Sequence, residues 1–166
     1  TFGYKIAMWL YLVNQQRFRL VDVRSELVIG SLKGAVGTHS VWGEAGIELE
    51  RSVLTALGLR TSVVNIQPSE ERYVEYLNWC ALVAGLLARM CAEIRGMHRS
   101  EVGEVREAFE TGTQVGSSTM PQKRNAEWSE AIQGVALKVR TNALAMLSVV
   151  QEHERDGTRN PAEHLL

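Results

Sequence analysis

Apolar residues recur at the spacing of one face of an α-helix along four stretches of the chain. The first stretch extends from Tyr4 to Ile29 without an internal glycine or proline, and three glycines between positions 30 and 37 then predict a break. Helical spacing resumes near Val41 and ends at Gly58, which we expect to cap a second helix. The first third of the chain therefore predicts two helices joined by a glycine-rich turn.

The third stretch begins at Pro68, a residue suited to the first turn of a helix, and continues without another proline to about Phe109. A helix of about 40 residues would be about 60 Å long. The fourth stretch extends from Trp128 to Leu147. The pattern predicts an all-α fold, a long up-and-down bundle of nearly antiparallel helices in a single domain over residues 1–166, with no sheet beyond short pairings at termini.

Four helices cannot bury all of these apolar stripes within one monomer, so we expect an oligomer. The 166 residues are 45% hydrophobic and 22% charged, a composition typical of a globular protein. With 18 basic and 19 acidic residues the net charge is -1, which favours neither nucleic acid nor an anionic membrane as a partner. No signal peptide or uninterrupted apolar run of membrane-spanning length is visible, so we expect a cytoplasmic protein with no membrane partner.

Cysteine and histidine spacings do not indicate a metal site. Cys80 and Cys91 are eleven positions apart in a helical stretch, which places them roughly 16 Å apart as core thiols rather than a disulfide. The histidines at positions 39, 98, 153 and 164 lack metal-ligand spacing. We therefore expect neither a metal nor another cofactor.

The segment at positions 116–125, Gly-Ser-Ser-Thr-Met-Pro-Gln-Lys-Arg-Asn, combines a serine turn with a cation and an amide. Gly116 permits unusual backbone angles, and the two serines after it offer successive N–H groups as an anion nest. Pro121 is suited to a helix start, and Lys123 would face an anionic ligand. On spacing alone, a polar loop ahead of a helix is an equally good interpretation.

The same ten residues resemble the GSSxMPxKxN signature of the fumarase/aspartase superfamily, whose members eliminate a group beta to a carboxylate and commonly release fumarate. Ala126 stands where the family usually has proline. Similarity continues over nearly the whole chain, in the order seen in the adenylosuccinate lyase and 3-carboxymuconate cycloisomerase branch, at positions 1–3, 34–38, 101–105 and 151–156. The resemblance implies the central helical domain of that fold, with the family's N-terminal and C-terminal domains outside the chain, in a homotetramer whose active sites are shared between subunits.

The resemblance assigns the chemistry to residues 116–125, the signature segment. It implies that Ser117 is the catalytic base, with Ser118 as the nearest alternative, and that Lys123 and Asn125 bind a substrate carboxylate. Their ammonium and amide groups both donate hydrogen bonds to carboxylate oxygens. Met120 matches a position whose backbone approaches the substrate, although its side chain is equally suited to plug a core.

Four further candidates lie outside the segment. Glu130 matches an acid that orients a general-acid histidine in relatives, although it could be a solvated helix residue. Thr38 and His39 follow the glycine-rich turn, where relatives contact substrate; a solvated loop histidine is the alternative. Arg155 suits a second carboxylate or a phosphate, and otherwise pairs with a neighbouring acid.

These residues imply a small anionic carboxylate substrate and a lyase that acts by general-base β-elimination, or by the reverse addition as in a cycloisomerase. In this branch, a segment with an essential histidine precedes Thr-Phe-Gly, so we expect the chain alone to be weakly active or inactive. Nucleotide-binding adenylosuccinate lyases typically carry a serine pair and an arginine after Glu-Arg-Asp, whereas here Gly-Thr-Arg-Asn-Pro follows at positions 157–161 without a serine pair. The alternative function is a helical assembly module or scaffold that keeps the superfamily core without its chemistry.

Overall fold

A computed structural model of the chain describes residues 1–63, 70–109, 116–120 and 122–148. Its elements, in chain order, are α1 (Phe2–Leu27), β1 (Ile29–Gly30), a 3-10 turn (Gly43–Ala45), α2 (Gly46–Ala56), β2 (Arg60–Thr61), α3 (Glu71–His98) and α4 (Glu127–Met146). Helices of 26, 11, 28 and 20 residues confirm the predicted all-α class.

The glycine-rich break after α1 contains a short strand pairing. Ile29 pairs with Arg60 and Gly30 with Thr61 in parallel, so β1 and β2 join the ends of α1 and α2. The sequence placed such pairings only at termini; the structure corrects this, because an extended residue follows each of these two helices. Arg72 of α3 holds the pair from outside, since its guanidinium donates to the Ile29 carbonyl at 2.9 Å.

The second helix begins later than its apolar spacing predicts and ends where predicted. Val41 lies in a turn and is 80% exposed, and α2 starts at Gly46. At the other end Gly58 has a φ of +71°. Its N–H donates to Thr55 and the N–H of Leu59 to Leu54, the paired bonds by which a left-handed glycine closes a helix.

The third helix is shorter than predicted. It ends at His98 rather than near Phe109, and its 28 residues span about 42 Å. Gly103, with a φ of +63°, donates its N–H to the Arg99 carbonyl at 2.8 Å, so the chain turns away shortly after the helix ends. The absence of a proline up to Phe109 therefore did not predict the length of this helix, because the chain turns at a glycine instead. Pro68, the predicted start, lies outside the described residues.

Within the described part of the chain, α3 is the one helix long and apolar enough to cross a membrane by length and composition, with a mean hydropathy of 1.4 over its most apolar window. Arg89 and Glu93 interrupt its apolar residues. Only 11% of the window is buried. The same composition is typical of the central helix of a helical bundle. Both cysteines lie on α3 as free thiols, Cys91 buried and Cys80 half-buried.

The chain divides into two compact units, residues 1–14 with 80–143 and residues 15–79 with 144–166. In the first unit α3 and α4 run antiparallel, because Gln133 donates to the Ala88 carbonyl at 3.3 Å whereas His98, later in α3, meets Arg124, earlier in the chain than α4. The second unit contains the strand pair and α2, and the buried side chain of Leu54 in α2 lies next to Gly30 of β1. That residues 1–166 act as a single domain stays a prediction.

We predict that Gly58→Ala lowers the free energy of unfolding by about 1 kcal/mol, because a Cβ is disfavoured at this positive φ although the space around it is open. Gly134→Ala is the matched control: its site in α4 is also open, but the backbone is helical, so alanine should raise stability by about 0.5–1 kcal/mol. Urea denaturation measures both. Equal effects of the two substitutions would contradict the assigned cap.

Candidate active site

The signature segment surrounds the hydroxyl of Ser117 with backbone donors. The N–H of Met120 lies 3.1 Å from Ser117 Oγ and the N–H of Thr119 lies 3.3 Å from it. Small residues after the serine allow the chain to fold back over the oxygen in this way. Two N–H dipoles aimed at one oxygen favour a negative charge there, which is what a serine alkoxide requires.

The segment closes on itself around Gly116. Asn125 Nδ2 donates to the Gly116 carbonyl at 3.4 Å, and the N–H of Lys123 donates to the Met120 carbonyl at 3.0 Å. A Cβ on Gly116 would collide with the Lys123 carbonyl oxygen, so this close approach of two backbones requires glycine. The folded segment thus brings Ser117, Lys123 and Asn125 into one small loop.

Of the side chains that the sequence assigns to substrate, Asn125 is half-buried against Gly116, whereas Lys123 and Met120 lie on the outside of this loop. Lys123 and Ser118 are exposed, and Met120 is 44% exposed rather than a core plug. The backbone N–H of Met120 is bonded to Ser117 Oγ, and the approach of its main chain to substrate stays a prediction. An exposed ammonium on the same loop as a hydroxyl with two N–H donors is of a type that can bind a carboxylate.

Glu107 fixes the end of the segment where α4 begins. The helix starts after Ala126, a buried residue whose side chain cannot cap the helix. The Glu107 carboxylate replaces that cap from elsewhere in the chain: it accepts the N–H of Trp128 at 3.1 Å, the N–H of Ser129 at 2.9 Å and the Ser129 hydroxyl. These donors are otherwise unsatisfied at a helix start, so the contact joins the chain before the segment to the helix after it.

These contacts change the acidity of Glu107. Burial acts to raise its pKa, but the hydrogen bonds from Ser129 and Trp128, together with the nearby His98, outweigh burial and lower the pKa below the ordinary 4.5. The carboxylate is therefore held in its charged form, as an N-terminal helix cap should be.

His98 makes a second connection to the same region. Its Nδ1 accepts the N–H of Glu107 at 3.3 Å and its Nε2 lies 3.2 Å from the Arg124 carbonyl oxygen. The Arg124 guanidinium lies over the Phe109 ring, 3.6 Å from its centre. The segment is thus connected at Arg124 both through its backbone and through its side chain.

Glu130 lies on the first turns of α4 and pairs with Arg95 of α3 at 3.1 Å; both side chains are about half exposed. Its described partner is thus an arginine, and the role of orienting a histidine stays a prediction. Such an exposed pair contributes little to stability. Its visible effect is to connect α3 to α4 next to the segment.

Thr38 and His39 belong to the other compact unit. His39 has a φ of +56°, and its N–H donates to the Lys33 carbonyl at 2.9 Å. Its Nε2 lies 3.1 Å from Glu50, which is 2% exposed and also accepts the N–H of Leu32 at 2.8 Å. His39 is therefore held by a buried carboxylate rather than solvated in a loop. The adjacent Thr38 is exposed at the turn.

Lys33 completes this arrangement. It is 7% exposed, and its ammonium donates to the Ser62 carbonyl beyond β2. The buried ammonium of Lys33 therefore fixes the start of the turn at positions 33–39 to Ser62. The buried Glu50 carboxylate fixes His39 at its end. Gly46 makes room for it, because a Cβ there would collide with the His39 side chain.

The described residues among those predicted from the sequence therefore fall into three groups, and Arg155 stands apart from them. One loop brings together the candidates of the signature segment: Ser117, Ser118, Met120, Lys123 and Asn125. Glu130 lies in the same unit, on α4. Thr38 and His39 lie in the second unit, and Arg155 lies outside the described residues.

Glu50, Lys33, Glu107 and His98 shape these sites, and sequence reasoning assigned a role to none of them. Glu50 had a visible signal, since it occupies the buried stripe of α2 between Gly46 and Leu54 at four-residue spacing. Glu107 and His98 had none, because their partners are distant in sequence. Among the residues described, no group of three or more histidine, cysteine or acidic side chains is placed to hold a metal ion.

Comparison with known proteins gives a consistent result. A family model described as “Lyase” matches residues 1–141. The chain is 37% identical over 164 residues to an N-acetyl-S-(2-succino)cysteine lyase of Dickeya dadantii, covering 98% of this chain and 36% of that protein. It is 39% identical over 168 residues to an adenylosuccinate lyase of Pyrococcus horikoshii, covering 100% of this chain and 37% of the relative.

A solved structure is similar over almost the whole chain. It is a 3-carboxy-cis,cis-muconate lactonizing enzyme from Pseudomonas putida, with a TM-score of 0.84 at 30% identity; the match covers 99% of this chain and 37% of that one. The chain thus spans little more than a third of the length of the relatives it matches.

We predict that Glu107→Gln is less stable than the wild type at neutral pH and that the difference narrows as the pH falls below 4.5. A carboxyl with a lowered folded-state pKa contributes stability that is present above its unfolded pKa and is lost as the pH falls through the folded pKa. Urea midpoints across the acid range measure the difference. Glu101→Gln is the control, because it alters an exposed acid 3.7 Å from Arg99. Its urea midpoint should stay close to that of the wild type at every pH.

Proposed function

Because the chain belongs to the fumarase/aspartase superfamily of lyases, in its adenylosuccinate lyase and 3-carboxymuconate cycloisomerase branch, we propose that it supplies the base and the carboxylate-binding groups of a lyase site. Ser117 is the base, with Ser118 beside it, and Lys123 and Asn125 bind a carboxylate of a small anionic substrate. The reaction is a β-elimination that leaves an alkene dicarboxylate, typically fumarate.

The observation that carries this proposal is the pair of N–H groups directed at Ser117 Oγ, 3.1 and 3.3 Å away, in a loop that also carries Lys123. A serine can act as a base only after it loses its hydroxyl proton, and it loses that proton only where its surroundings favour the alkoxide. Two backbone dipoles and an ammonium on the same short loop supply that bias. No corresponding donors are described for Ser118, which makes Ser117 the better candidate.

In the proposed step, the Ser117 alkoxide takes the proton from the carbon next to a substrate carboxylate. The electron pair left behind spreads onto that carboxylate, where Lys123 and Asn125 donate to the oxygens that gain charge. The carbon–heteroatom bond on the neighbouring carbon then breaks, the electron pair forms the alkene, and the leaving group departs with its bonding pair and collects a proton from an acid. Glu130 orients that acid in this proposal. Thr38, His39 and Arg155, which the resemblance assigns to substrate, are further candidates for substrate binding.

The names of the relatives favour a succinyl-bearing substrate. Both the succinocysteine lyase and the adenylosuccinate lyase are named for a succinate-derived compound. A second candidate is a cycloisomerisation, since the structure with a TM-score of 0.84 is named as a lactonizing enzyme. Both reactions use the same proton transfer next to a carboxylate, so one set of residues serves either.

We predict that Ser117→Ala in the full-length natural protein lowers kcat by roughly 10³-fold or more with little change in the urea midpoint, because the base lies on a loop outside the core. Lys123→Ala should raise KM as well as lower kcat, because the ammonium binds the carboxylate before and during proton removal. Steady-state assays with adenylosuccinate, N-acetyl-S-(2-succino)cysteine and 3-carboxymuconate, followed by alkene absorbance, measure both.

Ser118→Ala is the matched control and should stay within a few-fold of the wild type. Loss of activity in Ser118→Ala with normal activity in Ser117→Ala would transfer the base to Ser118. Normal activity in all three variants would refute a catalytic role for the segment. A wild-type protein that assembles but converts none of the substrates would favour the scaffold alternative.

The apolar helix faces support an assembly of several copies. No residue of α1 is buried, and Leu10 and Val21 on this helix are 61% and 66% exposed. On α4, Leu137 and Leu144 are 64% and 67% exposed. Exposed apolar side chains on helix faces are typical of helices that pack against another subunit. We propose a homotetramer with active sites shared between subunits, as the resemblance implies.

We predict that Leu137→Glu weakens this assembly, because it places a charge in an apolar interface, whereas Lys138→Glu at the adjacent exposed position leaves it intact. Sedimentation velocity of the full-length protein at micromolar concentration measures the oligomeric state. A wild-type protein that sediments as a stable monomer would contradict the assembly.

A further inference from the structure

We propose that His98 is a positioning residue for the carboxylate-binding end of the signature segment: as a neutral imidazole it connects the backbone of Glu107, before the segment, to the backbone of Arg124 within it. The inference deepens the proposed function, since it rests on Lys123 and Asn125 being the groups that bind substrate. It assigns a role to a histidine that neither metal spacing nor the family signature singled out.

The two contacts of the ring require opposite roles of its two nitrogen atoms. The Glu107 N–H can only donate, and it points to Nδ1 at 3.3 Å; the Arg124 carbonyl can only accept, and it lies 3.2 Å from Nε2. Both bonds form together only if Nδ1 carries no hydrogen and Nε2 carries one. The connection therefore needs one acceptor and one donor on the same side chain, which the neutral imidazole provides.

The location of the Arg124 carbonyl gives this connection its consequence. That carbonyl belongs to the rigid peptide plane between Arg124 and Asn125. Holding its oxygen fixes the direction in which Asn125 leaves the backbone and, one residue earlier, restricts the backbone of Lys123. Both proposed carboxylate-binding groups therefore depend on the orientation of one peptide plane, and small displacements of such groups are costly to binding and catalysis.

Glu107 makes the connection rigid at its other end. Its carboxylate holds the N–H groups of Trp128 and Ser129 at the start of α4, while its own N–H is held by His98 at the end of α3. The ring thus stands between two backbones that are each tied to a helix. The Arg124 side chain is held separately by its stacking over Phe109. The imidazole therefore acts on the orientation of the Arg124 carbonyl and not on the position of the whole loop.

The test compares three variants of the full-length natural protein. His98→Ala removes both bonds, His98→Gln restores one acceptor and one donor on a side chain without charge, and Arg99→Ala is a control at the adjacent exposed position. With the succinyl substrates, His98→Ala should raise KM about tenfold with a smaller change in kcat, whereas His98→Gln should stay within a few-fold of the wild type. A purely structural histidine would lower the urea midpoint without this split between KM and kcat.

Hydrogen–deuterium exchange of the peptide covering residues 116–125 provides a readout that does not need activity. Exchange should rise in His98→Ala and return to the wild-type rate in His98→Gln, with the peptides of α1 unchanged. This separates the inference from the proposed function: an inactive wild type with the predicted exchange would refute the lyase proposal and keep the connection. Unchanged exchange in His98→Ala, an unchanged KM in an active protein, or failure of glutamine to restore either would overturn the inference.

Discussion

The hydrogen bonds between the Glu107 carboxylate and the first turn of α4 are the interaction on which the candidate site depends. A helix start leaves backbone N–H groups without partners, and Ala126 offers no side chain to satisfy them. Glu107 satisfies those of Trp128 and Ser129 from the far side of the segment, so an exposed loop rich in small residues is closed at its base. The ordered loop can then direct two N–H groups at Ser117 without a core of its own.

A second constraint is the apolar surface of the long helices. An isolated helix gains little from propensity alone, and most helical stability in proteins comes from packing an apolar face. In α1 no residue is buried by the described part of the chain, so the apolar residues of this helix stay partly open there. Assembly and chemistry are coupled in this account, because α3 and α4 carry both exposed apolar residues and the contacts that hold the segment, such as Arg95 to Glu130.

Sequence reasoning predicted the helices well where local signals decide them. The apolar spacing located α1 and α4, and Gly58 located the end of α2, because periodicity and a left-handed glycine are properties of neighbouring residues. It extended α3 too far, since Gly103 ends the path without a proline. The segment was recognised from its residues, but its support was not: Glu107 and His98 act on partners 9 to 26 positions away, which no spacing rule reveals.

The central claim is that this segment removes a proton next to a substrate carboxylate. Its most direct test is the kinetic isotope effect on kcat/KM for a succinyl substrate that carries deuterium at the carbon losing the proton, with alkene formation followed by proton NMR in the full-length natural protein. The account predicts an alkene product and a rate for the deuterated substrate lower than that for the undeuterated one, with Ser117→Ala forming alkene roughly 10³-fold or more slowly than the wild type. Alkene formation at an undiminished rate in Ser117→Ala would contradict it.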